Sequence, residues 1–144
     1  MATTRPTETV FVYGTLTDPD RVEAVLRSVP NASYELGATA VLEGLCRVEG
    51  EYPTLAPGGR TEGRLLSVDE SGLEALDRYE GVDRGLYERI AVPHEDADAD
   101  CWIYVGDPDR LGADGRVDWP DGPSFEERVR TYVSARDVAV TTPE

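Results

Sequence analysis

A β-rich apolar run, Val10-Phe11-Val12-Tyr13, stops at Gly14, and Asp18-Pro19 follow at once as the punctuation of a helix. A buried strand that breaks on glycine and turns straight into a helix commits the chain to packing helices on a sheet. Asp18 is the N-cap, and Pro19 takes the first helical position, where a missing N–H costs nothing. Val22, Val25, Leu26 and Val29 then recur at i, i+3, i+4 and i+7, a single apolar stripe. Pro30 and Asn31 end it.

Downstream, strands predominate. Ser33 to Val48 is strand-like, with Gly37 and Gly44 as bends or bulges. Glu51 to Gly59 is turn-rich, and Thr61 to Val68 is the next strand. Asp69 caps a helix that runs to about Glu80 and is closed by Gly81. Leu86 to Val92 alternates as a strand, Glu95 to Asp100 makes a hairpin turn, and Cys101 to Val105 returns. A polar Gly/Asp/Pro-rich connection covers Asp107 to Pro123, longer than most loops in compact domains. Ser124 with Glu127 forms a capping box for a helix through about Val133. The order predicts an α+β fold, a curled sheet or small barrel flanked by helices. No repeat or low-complexity linker divides the 144 residues, so one domain over 1–144 is expected.

Charge narrows the partners. There are 29 acidic residues against 14 basic ones, all Arg, for a net −15. Nucleic acid and anionic lipid both demand clustered positive charge, so neither is expected as a partner. With 40% hydrophobic residues a core can form, and the acid excess covers the surface. Such a Lys-free acidic surface suits a very salty cytoplasm; a GC-rich coding bias for Arg over Lys is the alternative. Cys46 and Cys101 stand in no paired spacing, and with His94 the single histidine no Cys/His metal set exists. Met1 to Glu8 is polar, unlike a secretory signal, and no apolar run of about 18 residues spans a membrane. A soluble cytoplasmic protein is expected, of unknown oligomeric state.

Two places could carry chemistry. Glu80 lies seven residues after Leu73 and four after Leu76, on their apolar helix face. A carboxylate aimed at a core is either paired, with Arg89 or Arg78 as partner, or functional. Partial burial and the negative end of the helix dipole both raise its pKa, as a general acid/base at neutral pH requires. The second place is Tyr13-Gly14-Thr15-Leu16, where a strand–Gly–helix turn leaves N–H groups free for a carboxylate or oxyanion. An ordinary strand-to-helix connection would look the same, and no P-loop or GxGxxG pattern accompanies it. Asp96, Asp98 and Asp100 alternate like a calcium loop but lack its Gly and distant Glu, so a solvated turn is expected and no metal site. Tyr87, Trp102, Tyr104 and Tyr132 could line a pocket or simply fill the core.

With both places in hand, the sequence resembles the γ-glutamylcyclotransferase-like family, particularly its AIG2-like branch acting on γ-glutamylamines. The resemblance is carried by Val10 to Leu16, Tyr52-Pro53, the block Leu76-Asp77-Arg78-Tyr79-Glu80-Gly81-Val82, then Leu86-Tyr87-Glu88-Arg89 and Trp102 to Val105. It implies a small mixed β-barrel with flanking helices and no cofactor. It also implies Glu80 as catalytic acid/base and Tyr13, Gly14, Thr15 and Leu16 as the substrate-holding loop, with Tyr87 as a further substrate contact. The implied substrate is a small γ-glutamyl compound whose own amino group closes 5-oxoproline and expels an amine. A ligand-binding or interaction protein that keeps the fold without turnover is the rival class. Asp83 stands where relatives often carry Pro, which bears on the leaving group more than on the reaction.

The acid excess makes a prediction of its own. Like charges repel at low ionic strength, and the Debye length shrinks from about 10 Å at 0.1 M to about 3 Å at 1 M. The melting temperature should rise with KCl, steeply to about 1 M and then slowly. A flat or falling midpoint in melting curves recorded across that range would sink the salty-cytoplasm reading and leave coding bias.

Overall fold

Val10 and Phe11 are adjacent in sequence and both fully buried, yet they belong to different cores. They lie on strand β1 (Glu8–Val12), whose successive side chains point to opposite faces. Both faces are covered, so the run is apolar throughout instead of alternating. The structure, a computed structural model of the chain, describes residues 8–27, 34–48, 54–95, 99–108 and 119–142.

Five further strands complete the sheet: β2 (Tyr34–Val48), β3 (Thr54–Val68), β4 (Tyr87–His94), β5 (Ala99–Gly106) and β6 (Ala139–Thr141). They close into a barrel in the order β1-β3-β2-β6-β4-β5. The pairings of β1 with β5, Val10 opposite Trp102, and of β4 with β6, His94 opposite Val140, are parallel. The others are antiparallel, so the barrel is mixed. Phe11, Leu42, Leu45, Leu55, Ile90 and Ile103 fill the inner core. Helices α1 (Pro19–Leu26) and α2 (Glu70–Glu80) cover the outer face of β1, where Val22, Leu26, Leu73 and Leu76 meet Val10, Val12, Leu66 and Val68. Helix α3 (Phe125–Ala135) adds Val129 and Val133 to the inner cluster. The expected α+β architecture, a small mixed β-barrel flanked by helices, is the observed one.

Helix punctuation follows the sequence closely. Asp18 accepts from the Asp20 N–H, Asp69 from Gly72 and Ser124 from Glu127, each at the predicted N-cap. Gly81 closes α2 at φ +74°, a left-handed conformation that glycine adopts without strain. Val29, Pro30 and Asn31 lie outside the described residues. Cys46 and Cys101 are free thiols.

Two expectations are corrected. Of the segment read as turn, Glu51 to Gly59, the first three residues lie outside the described ones, and the rest is strand. Thr54, Leu55 and Ala56 are buried, and Val48, Arg47, Cys46 and Leu45 pair with Thr54, Leu55, Ala56 and Pro57. Gly58 and Gly59, at φ +98° and +70°, sit where the register slips opposite Gly44. Their role is to bend a long strand, not to end it. The second correction is β6, expected nowhere. Three residues carry no readable period, and Ala139–Thr141 is a strand because it fills the gap between β2 and β4. The expected bulge at Gly37 is present as a second register slip, between Leu36 and Thr39. Most of the connection from Asp107 to Pro123 lies outside the described residues, but Trp119 belongs to the inner core, edge-on to Phe125 and Tyr132.

Among the described glycines, Gly63, in the barrel wall, marks the tightest approach of neighbouring atoms. A Cβ there would stand 2.2 Å from the Val12 carbonyl oxygen and 2.7 Å from the Phe11 ring. Neither backbone nor a fully packed ring can yield cheaply, so Gly63→Ala should destabilise by about 3 kcal/mol or more. Denaturant unfolding measures it; a change under about 1 kcal/mol would mean that the wall yields more easily than its packing implies.

Candidate active site

Helix α2 delivers Glu80. The helix starts on the Asp69 cap and buries Leu73 and Leu76, and its last residue, on the same face, is Glu80. The carboxyl is half-buried, and that burial pushes its pKa from 4.5 up to about 7. Arg89, one of the two expected structural partners, is taken by Asp77, with Nε 2.9 Å from Oδ1. Among the described residues no ion pair joins Glu80 to Arg89 or to Arg78. The paired alternative therefore loses its partner.

Strand β1 delivers Tyr13. Its ring stacks on Phe11 with centroids 6.5 Å apart, and its hydroxyl donates to the Tyr104 carbonyl oxygen. Burial, then the charge of Glu80, then Tyr87 hold the Tyr13 phenol well above its ordinary pKa, so it remains a neutral donor. The Tyr104 phenol is likewise held above its ordinary pKa, by burial first and then by its hydrogen bond to Asp77. Its hydroxyl donates to Asp77 Oδ1 at 2.7 Å.

After Tyr13 the chain makes a 3-10 turn, Gly14–Thr17, that holds Thr15 and Leu16. Gly14 is at φ +82°, and the Thr17 hydroxyl donates back to its carbonyl at 2.6 Å. The first N–H groups of such a turn have no partner within it. Tyr87, buried, opens β4 directly opposite Gly106 at the end of β5. The Thr54 hydroxyl accepts from the Gly106 N–H at 2.7 Å and lies beside the Tyr13 phenol. The end of β1, the starts of β3 and β4, the end of β5 and the end of α2 thus converge. The charge of the half-buried Glu80 carboxyl reaches the neutral Tyr13 and Tyr104 phenols there, and Tyr13 leads into the glycine turn.

The structure brings together Glu80, Tyr13, Gly14 and Tyr87, with Thr15 and Leu16 in the adjoining turn. Thr54 and Asp77 were not foreseen. Thr54 lay inside a segment that reads as turn. Asp77 had one signal, its place one turn before Glu80 on a helix whose neighbouring strand carries Arg89. Of the acidic alternation, Asp96 and Asp98 lie outside the described residues, and Asp100 is exposed. No group of metal-ligating side chains occurs among the described residues. His94 is at the far end of β4 from Tyr87. A separate groove of about 440 Å³ between α1 and α2 is lined by Arg21, Arg78 and Tyr79 and does not include Glu80. Among the described residues, no helix is long and apolar enough to cross a membrane.

The barrel agrees with what comparison finds. The profile of the family described as gamma-glutamyl cyclotransferase, AIG2-like, matches residues 10–122. This chain belongs to that family. It is 33% identical over 124 residues to AIG2-like protein A of Arabidopsis thaliana, covering 76% of this chain and 70% of that protein. A solution structure from the same plant superposes with a TM-score of 0.53 at 29% identity, covering 90% and 85% of the two chains. A gamma-glutamyl cyclotransferase superposes at 0.53 with 16% identity, over 90% of this chain and 99% of the other, and shares the fold.

The raised pKa is also a statement about stability. The folded protein holds a proton on Glu80 that the unfolded chain releases near pH 4.5. This contribution is intact below about 4.5 and is lost as pH rises through about 7, in all about 3 kcal/mol. Glu80→Gln cannot ionise and escapes the loss. Its melting temperature should therefore pull ahead of wild type by about 5–10 °C between pH 4.5 and 8. A gap that does not change with pH would show that Glu80 is not desolvated.

Proposed function

We propose that this chain is a cyclotransferase that releases an amine from a γ-glutamyl compound as 5-oxoproline forms, with Glu80 as general acid/base. The observation that carries the reading is Glu80 itself: a half-buried carboxyl without an Arg partner among the described residues, its pKa raised by burial to about 7 and its charge felt by the Tyr13 phenol, in a chain of this family.

The chemistry asks little of the protein beyond posture. The substrate's α-ammonium gives a proton to the Glu80 carboxylate, and the freed amine adds to the γ-carbonyl carbon of the same molecule. The new C–N bond closes a five-membered ring and leaves an oxyanion. Glu80 returns its proton to the departing nitrogen, the old C–N bond breaks and the carbonyl re-forms. The ring nitrogen sheds its extra proton to the amine, which leaves as an ammonium, so the reaction is proton-neutral. Nucleophile and electrophile share one molecule, and this route calls on no cofactor. Holding them in attack geometry can supply about 7–11 kcal/mol, and a placed acid/base a further 10²–10⁴-fold or so. In this reading the Gly14–Thr17 turn offers its N–H groups to the substrate carboxylate or the oxyanion. The neutral Tyr13 hydroxyl and the buried Tyr87 ring line the folded substrate.

Glu80→Gln keeps the shape and removes the proton acceptor. Turnover of γ-glutamyl amines, followed as 5-oxoproline, should fall by at least about 10² with KM little changed. In wild type, kcat/KM should climb with pH through about 7 as Glu80 ionises, and the variant's residual rate should lack that limb. Near-wild-type turnover by the variant removes Glu80 from the mechanism. Absence of 5-oxoproline from every γ-glutamyl amine, amino acid and peptide tried, despite measurable binding, favours the ligand-binding class.

A further inference from the structure

Behind Glu80 stands a group of polar contacts that the reaction does not use. Asp77 Oδ1 accepts two hydrogen bonds, from the Tyr104 hydroxyl at 2.7 Å and from Arg89 Nε at 2.9 Å. Arg89 and Tyr104 are direct partners across the β4–β5 ladder. The Arg89 guanidinium lies 4.2 Å over the Trp102 ring, and the Trp102 N–H donates to Glu8 Oε1 at 2.7 Å. Strands β4 and β5 thus converge on one carboxylate oxygen in the last turn of α2, and Trp102 ties that cluster to β1.

That turn has reason to need them. Leu76 is the last fully buried residue of α2; Arg78 and Tyr79 are exposed and Glu80 is polar. Beyond Glu80 the chain is held again, where the Leu86 N–H donates to the Gly81 carbonyl at 3.1 Å. The hydrogen bonds to Asp77 are charge-assisted, and the Asp77 and Arg89 side chains are only 22% and 25% exposed, so water screens them less than a surface pair. Tyr104 also touches the other half of the site, because its carbonyl accepts the Tyr13 hydroxyl. One residue therefore registers α2 and Tyr13 against each other.

We infer that Asp77, Tyr104 and Arg89 form a clamp that sets how deeply Glu80 sits against the barrel mouth. They are positioning residues, and the kinetic part of the inference rests on Glu80 being the acid/base. Loosening the clamp lets the last turn of α2 lift and water reach the carboxyl. The titratable and charged groups packed about the end of α2 are the neutral phenols of Tyr13, just after β1, Tyr87 on β4 and Tyr104 on β5, with Arg47 on β2 acting on Tyr13, Arg89 on β4, Asp77 on the same helix, and Asp83 and Arg84 just beyond it.

Tyr104→Phe tests the clamp cleanly. It removes one hydroxyl, keeps the ring and the carbonyl that Tyr13 uses, and alters no charge at neutral pH. The Glu80 carboxyl titration, read by carbon-13 NMR in the resting protein, should move down by about one unit toward the ordinary carboxylate range. Where wild type turns over a γ-glutamyl amine, kcat should fall about 10-fold or more with KM within about twofold. Should this variant not fold, Arg89→Gln decides. Removing a positive charge alone would raise the Glu80 pKa, whereas a loosened clamp lowers it. A lowered titration in either variant supports the clamp; in the folded variant, a titration unmoved, or raised in Arg89→Gln, overturns it. The two readings fail separately. A lowered titration in a protein with no cyclotransferase activity keeps the clamp and discards the activity. Full activity with an unmoved titration does the reverse.

Discussion

Burial of β1 on both faces is the constraint on which the rest depends. Its inner face, through Phe11, is part of the barrel core, and its outer face, through Val10 and Val12, seats α1 and α2. Its edges pair with β3 on one side and β5 on the other, and the second pairing closes the barrel. A strand committed in all four directions cannot shift register without turning apolar side chains to the wrong layer. That rigidity fixes where Tyr13 emerges, and with it the glycine turn that follows.

Glu80 spends some of the stability that this packing provides. A carboxyl raised to about 7 is a group the fold would rather keep neutral, although near neutrality it is ionised about half the time. A cationic partner would push the carboxyl the other way, so the shift comes from burial and not from an ion pair. The neighbouring phenols fit the same pattern. Tyr13 and Tyr104 are neutral donors because burial and nearby carboxylates leave them no route to ionise.

Features set by local chemistry were legible in the sequence. Asp18, Asp69 and Ser124 announce their helices because a cap is a contact within a few residues, and Gly81 announces an end for the same reason. Glu80 was legible because helical period alone places it beside Leu73 and Leu76. Features set by distant partners were not. Thr54 to Gly59 carries proline and two glycines and reads as turn, yet it pairs with β2 and buries three consecutive residues. β6 is three residues that mean nothing apart from β2 and β4. That Arg89 chooses Asp77 over Glu80 depends on the β4–β5 register, which no spacing in the sequence encodes.

The same β6 has a consequence for how the molecule comes into being. A nascent chain emerges in sequence order, so β1 appears before either strand it pairs with. Its partner Trp102 follows some 90 residues later, and the gap between β2 and β4 is filled only by Ala139–Thr141. Closure therefore waits until almost all of these residues have left the ribosome, with ladder edges on β2 and β4 open meanwhile. Such edges are templates for another chain. A dense acidic surface, whatever its origin, repels that second chain during the interval when the first cannot yet protect itself.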